Sequence, residues 1–97
     1  MLKWTFITNH AAVLSSISRH PTITAHELAL EVGISERAIR RIISELHDAG
    51  YIAKKKEGRR VRYQVKRQAP LRHKIHIDKP VGELLKVLNA QRHKEKK

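Results

Sequence analysis

The sequence predicts a mostly helical α+β fold: three helices, a two-stranded hairpin and an additional C-terminal helix. Apolar residues recur at spacings of three and four in Val13, Leu14 and Ile17, again in Ile39, Ile42, Ile43 and Leu46, and again in Val81, Leu84, Leu85 and Leu88. That is the period of a helix with one buried face. Hydroxyl residues stand where the first three helices would begin, at Thr8, Thr24 and Ser35. Val61, Tyr63 and Val65 alternate with Arg62, Gln64 and Lys66, the period of a strand.

Taken in order, the alternation of Leu2, Trp4 and Phe6 predicts an extended arm over residues 1–7. Thr8 caps a first helix that Pro21 stops at about His20. Thr22-Ile23 reads as a short β-branched strand. Thr24-Ala-His-Glu27 is a capping box, in which the threonine hydroxyl accepts from the third helical amide and the glutamate reaches back. The helix it opens carries Leu28, Ala29 and Val32 on one side and ends at Gly33, a residue suited to the left-handed conformation of a helix stop. Ser35 then caps a third helix over about 35–49, with Gly50 as its stop. Strands follow at about 51–56 and 61–66, joined through Glu57-Gly58-Arg59-Arg60. Residues 67–79, with Pro70, read as an extended or irregular linker. Pro80 suits the first turn of a last helix over about 80–89, and 90–97 read as a frayed basic tail. The chain thus divides into a domain at 1–66 and an appendage at 67–97.

A chain of 97 residues fits one small domain and leaves little room for a deep catalytic cleft on a scaffold. There is no cysteine, which excludes disulfides and thiolate metal sites. No apolar run approaches the roughly 18–20 residues of a membrane span, and Met1-Leu2-Lys3-Trp4 does not open like a signal peptide. The residues therefore predict a cytoplasmic, nucleoid-associated protein without a membrane partner. No glycine-rich phosphate loop or paired carboxylate site is present, so no enzyme, catalytic residue or cofactor is expected. Seven histidines (His10, His20, His26, His47, His73, His76 and His93) are scattered and read as solvated, so no metal site is expected either. His10, just inside the first helix, reads as a capping or dimer-contact residue.

The net charge is +12, and its placement matters more than its size. Residues 1–50 hold five basic and five acidic side chains and are neutral. Residues 51–79 hold eleven basic side chains against Glu57 and Asp78, a net of +9. A field so concentrated attracts a polyanion.

The order of helix, short strand, capped helix, glycine turn, capped helix and basic hairpin is that of a winged helix-turn-helix. Such a unit lays the N-terminal half of its third helix in the major groove. With Ile39, Ile43 and Leu46 inward, the solvent face carries Ser35, Arg37, Ala38, Arg40, Arg41 and Ser44. Arginine reads guanine bidentately, and a small alanine admits close approach or a thymine methyl. At helical spacing Glu36 or Glu45 could instead pair with these arginines. In the hairpin, Lys55, Lys56, Arg59, Arg60 and Arg62 are placed to meet phosphates, which position a protein without reading sequence.

The stretch from Thr24 to Val65 resembles the winged helix-turn-helix domain of the ArsR- and MarR-type prokaryotic regulators. The motif is Glu31-Val-Gly-Ile-Ser-Glu-Arg-Ala-Ile-Arg-Arg-Ile-Ile-Ser-Glu-Leu-His-Asp-Ala-Gly-Tyr-Ile52, followed by Glu57-Gly-Arg-Arg-Val-Arg-Tyr-Gln-Val65. The resemblance implies that Ser35, Arg37, Ala38, Arg40 and Arg41 face the major groove, that Arg59 and Arg60 belong to the wing, and that the protein is a homodimeric repressor on a roughly palindromic site. Trp4 and Phe6 with Leu84, Leu85 and Leu88 are the apolar residues that could meet across a two-fold axis. Packing of the last helix on its own domain is equally open. The chain departs from the resemblance in lacking the cysteine metal motif and in being short for a MarR-type effector pocket, and nothing in the residues specifies an effector. Two other readings stay open: a winged helix used for protein–protein contact, and a non-specific architectural or RNA-binding protein. Arginines on both helix and wing argue against the first, and few aromatic stacking residues argue against single strands.

Overall fold

The computed structural model describes residues 4–89, so the start of the arm at 1–3 and the expected frayed tail at 90–97 lie outside the described residues. The element order is α1 (Asn9–Arg19), α2 (Ala25–Val32), α3 (Glu36–Asp48), β1 (Ile52–Glu57), β2 (Arg60–Val65) and α4 (Val81–Leu88). The sequence-predicted caps all form. Thr8 accepts from the Ala11 amide, Ser35 from the Ala38 amide, and Thr24 and Glu27 complete a reciprocal capping box. Gly33 turns the chain between α2 and α3 at φ +86°, where a Cβ would be strained whatever the surrounding space. The Gly33 and Ile34 amides both donate to the Ala29 carbonyl and so close α2. At the end of α3 the Gly50 amide returns to His47 and the Tyr51 amide to Leu46, the paired bonds of a Schellman stop.

The core is one aliphatic cluster. Val13, Leu14 and Ile17 of α1, Leu28 of α2, and Ile39, Ile42, Ile43 and Leu46 of α3 meet Ile23, Tyr51, Ile52, Val81 and Leu85. Fully burying a side chain of this kind stabilises the fold by about 1.5–3 kcal/mol. The hairpin covers one flank through Tyr63 and Val65, both half-buried.

Two expectations about the strands are corrected. The short strand at Thr22-Ile23 does not form. Pro21 has no amide to offer, and the Ile23 amide turns back to the His20 carbonyl, so the segment is a turn. What survives of a third strand is a single bond, from the Tyr63 amide to the Pro21 carbonyl at 2.8 Å. The hairpin strands pair from Ile52↔Val65 to Glu57↔Arg60: the outer end stops one residue early because the Tyr51 amide is taken up in closing α3, although the Tyr51 carbonyl still accepts from the Lys66 amide at 2.7 Å, and the two-residue turn carries the ladder one residue further at the tip. Only Gly58 and Arg59 remain in the loop, with Gly58 at φ +61° in the first central position, where a type II′ turn requires glycine. Of the expected extended arm the described residues are 4–7, with a bend at Phe6-Ile7.

The linker at 67–79 is a string of turns that folds back on itself. Pro70 lies opposite Pro80, flanked by bonds from Leu71 N to Lys79 O (2.9 Å) and from Val81 N to Ala69 O (2.7 Å). Pro80 sits at the cap of α4 instead of inside its first turn. The strap seats α4 on its own domain, and Leu85 is 1% exposed within that core.

The capping box gives a pH signature. The Thr24 amide donates to Glu27 Oε1 at 2.9 Å, and this bond, reinforced by the Thr24 side chain and the charge of Arg60, holds the Glu27 carboxyl below its ordinary range. A depressed folded value means stabilisation that is present above the ordinary carboxylate range and is lost as pH falls through the folded value. Glu27→Gln is therefore expected to be less stable than wild type at neutral pH and to converge with it in acid. Urea unfolding at neutral and acidic pH checks this, and a deficit that persists in acid contradicts it.

Candidate nucleic-acid interface

Helix α3 is divided lengthwise by its sequence. The buried stripe of Ile39, Ile42, Ile43 and Leu46 turns Arg37, Arg40, Arg41 and Ser44 outward, all exposed. Ala38 is half-buried beside them, and Ser35 is exposed but engaged in capping, its Oγ accepting from the Ala38 amide at 3.1 Å. From Arg37 to Ser44 the exposed row runs about 10 Å along the axis. That is the length of about three base-pair steps at about 3.4 Å each.

The three arginines are not equivalent. Arg40 Nη2 lies 3.3 Å from Glu36 Oε1, one helical turn away. The other carboxylate oxygen of Glu36 lies 2.7 Å from His26 Nδ1 on α2. The His26 hydrogen bond is the main cause that lowers the Glu36 carboxyl below its ordinary range, and the charges of His26 and Arg40 add to it. Glu45 does not take Arg41, although the spacing allows it; it pairs with His10 Nε2 at 2.7 Å and joins α1 to α3. Among the described residues, neither Arg37 nor Arg41 has a carboxylate within ion-pair distance. His10 and His26, both solvent-exposed, thus also each face a carboxylate of α3.

In the wing, Lys55, Lys56, Arg59 and Arg62 are exposed, as is Lys54. Lys55 stands directly opposite Arg62 across the ladder. Like charges in that position are destabilising, and an anion laid across them relieves the repulsion. Arg60 is placed differently from a free basic tip. Its Nη1 donates to the Thr22 carbonyl at 3.0 Å and to Thr22 Oγ1 at 3.3 Å, tying the outer edge of β2 to the turn before α2. The ties of Thr22 to Arg60 and of His26 to Glu36 were not read from the sequence, because the partners lie 38 and 10 residues apart in the chain.

Trp4 and Phe6 are 71% and 90% exposed and pack edge to face on each other, with ring centroids 5.2 Å apart. Leu84 and Leu88 are half-buried, whereas Leu85 is enclosed by its own domain and presents nothing outward. Among the described residues no group of three or more histidine, aspartate or glutamate side chains could hold a metal ion. Nor is any of the described helices long and apolar enough to cross a membrane.

Two capped helices joined by a glycine turn, the second with one face bare and arginine-bearing, followed by a basic hairpin, define a winged helix-turn-helix. Residues 8–53 match the family described as winged helix-turn-helix DNA-binding. The match is to the broad family and does not single out the ArsR or MarR type; it ends at Ala53, so the rest of the hairpin is identified as a wing by its geometry. No curated protein matches the sequence.

The Arg60 tether predicts unequal roles for neighbouring wing arginines. Arg60→Ala should speed hydrogen exchange at the Tyr63 amide, which bonds across the same edge, while Arg59→Ala leaves it unchanged. Equal protection in both variants, measured by NMR, would show that the tether does not hold the edge.

Proposed function

We propose that the protein is a sequence-specific regulator of transcription that binds double-stranded DNA and acts in the cytoplasm, at the nucleoid, as a dimeric repressor blocking promoter access. The reading is carried by one observation: α3 offers Arg37 and Arg41 bare on its outer face, beside a wing whose Lys55 and Arg62 oppose each other without a carboxylate partner. An unpaired arginine on a groove-sized helix can read guanine O6 and N7, worth about 1–3 kcal/mol of discrimination per pair. The wing cations suit phosphates, which position the domain without reading sequence.

The dimer reading is supported by exposed Trp4 and Phe6 and by the domain's size. Its principal extents are 36 × 34 × 30 Å. A dimer reading one palindromic site would space its α3 helices by about 34–36 Å, one turn of duplex, a distance comparable with the width of one domain. In this reading Leu84 and Leu88 join the aromatic pair at the contact, and Leu85 does not.

Arg41→Ala is expected to weaken binding to a selected site more than to mixed-sequence duplex. Arg59→Ala should weaken both alike and flatten the salt dependence. Wild-type behaviour in both variants, measured by anisotropy titrations, would refute this docking.

Selection from a random duplex library at physiological salt tests specificity itself. An enriched inverted repeat, with half-sites about one helical turn apart, is the expected result. Salt-sensitive binding without enrichment would replace this reading with an architectural or RNA-directed one, and absence of binding with a protein-contact one.

A further inference from the structure

The first turn of α3 holds a cluster that direct readout by Arg37 and Arg41 does not use. Glu36 begins the helix that is to meet a polyanion. A carboxylate there suits the helix dipole but repels phosphate. Its two oxygens are divided between two elements: Oε2 lies 2.7 Å from His26 Nδ1 on α2, and Oε1 lies 3.3 Å from Arg40 Nη2 one turn along α3. We propose that His26 and Glu36 are positioning residues for Arg40, and that protonation of His26 releases Arg40 to duplex DNA, so that binding takes up a proton. The proposal rests on the DNA-binding reading of α3.

The argument is one of charge. An imidazole protonated only at Nδ1 can donate to Glu36 and remain neutral. Arg40 is then the charge that answers the carboxylate. Moving Arg40 to a phosphate or a base leaves Glu36 facing the DNA uncompensated. When the imidazole carries its second proton, Glu36 is answered from α2 and Arg40 departs at lower cost. The three side chains together change from neutral to +1, and a phosphate backbone favours the charged form.

The charged groups around His26 fit this assignment. Glu27 follows it on α2, Glu36 and Arg40 face it from α3, and the charge of Arg60 from the wing reaches Glu27. Glu27 is committed to the Thr24 amide, which leaves Glu36 as the carboxylate in contact with the ring.

The test uses the full chain and a mixed-sequence duplex of about 20 base pairs, long enough for two half-sites, with anisotropy titrations at about pH 6 and about pH 8 at constant ionic strength. Wild type should bind more tightly at the lower pH. His26→Gln keeps a donor for Glu36 but cannot charge, and should lose about three- to fivefold in affinity at the lower pH and little at the higher, the size of an exposed charge interaction. In an Arg40→Ala background the same substitution should lose most of its effect, leaving only the compensation of Glu36 toward the duplex, because His26 acts chiefly through Arg40. Equal pH dependence of wild type and His26→Gln overturns the proposal. So does an effect of His26→Gln that is undiminished without Arg40, which would make the imidazolium a phosphate contact in its own right. Failure of wild type to bind the duplex at either pH removes the DNA-binding reading, and the proposal falls with it.

Discussion

The aliphatic stripe of Ile39, Ile42, Ile43 and Leu46 holds α3 in place, and the rest of the molecule is arranged around the need to bury it. These residues supply four of the thirteen side chains of the core, so α3 cannot roll without exposing a third of it. In so small a domain that loss would consume much of the total stability. The direction of Arg37, Arg40, Arg41 and Ser44 is therefore fixed by residues that never meet a ligand. Helices α1 and α2 exist to cover the stripe, and the glycine turn at Gly33 sets the angle at which they do so. A helix of thirteen residues would be marginal by itself in water; here its outer face stays free of apolar residues because the inner face carries the whole cost of folding.

Charge follows the same division. In the helical half four of the five acids are engaged internally: Glu27 caps α2, Glu31 accepts from Arg19 at 3.0 Å and from Ser16 at 3.1 Å, Glu36 is shared between His26 and Arg40, and Glu45 meets His10. Surface pairs of this kind add little stability. Their larger consequence is electrostatic, because they neutralise the scaffold and leave the field to Arg37, Arg41 and the wing. The hairpin gains no such cancellation. Its one carboxylate, Glu57, lies opposite Arg60, whose guanidinium is turned to Thr22. Positive charge is thus concentrated where the two protruding elements stand side by side.

Much of this was legible in the sequence, and the part that was not has a common cause. Caps, helix stops and the α3 stripe are local, so Thr8, Thr24, Glu27, Gly33, Ser35 and Ile39 could be read from spacing alone. The early stop at the outer end of the hairpin was hidden because Tyr51 looks like a strand residue by type, yet its amide is claimed by Leu46 at the end of α3. The missing strand at Thr22-Ile23 was hidden because β-branching favours a strand while the lack of a Pro21 amide and the His20 turn forbid it. Outward arginines were legible as a set, but the distinction among them was not. Arg40 differs from Arg37 and Arg41 only through Glu36 and His26, and His26 comes into reach through the fold of α2 against α3. Gly82 is a further case. Nothing in its neighbours in sequence marks it, yet a Cβ there would stand 3.0 Å from Arg67 Cβ and 3.1 Å from its carbonyl oxygen.

That close approach explains how a short helix of eight residues is held where the chain could otherwise leave it loose. The Gly82 amide donates to the Arg67 carbonyl at 2.9 Å, and Arg67 Nη2 returns to the Gly82 carbonyl at 3.2 Å. At the other end Asn89 is gripped by α1: Ser15 Oγ donates to its Oδ1 and its Nδ2 donates to Ser18 Oγ, both at 2.7 Å. Between these, the Tyr51 hydroxyl donates to the Pro70 carbonyl and the Pro70–Pro80 bridge closes the strap. Polar bonds at both ends with Val81 and Leu85 between them fix rotation as well as position, since a helix anchored only by apolar contacts can roll. Rotation decides which side of α4 faces out. With Leu85 turned inward, Val87 is exposed and Leu84 and Leu88 lie at the margin. In the dimer proposed above, the surface that α4 can lend to a second copy is therefore set by an asparagine, two serines and a glycine, none of which would touch that copy.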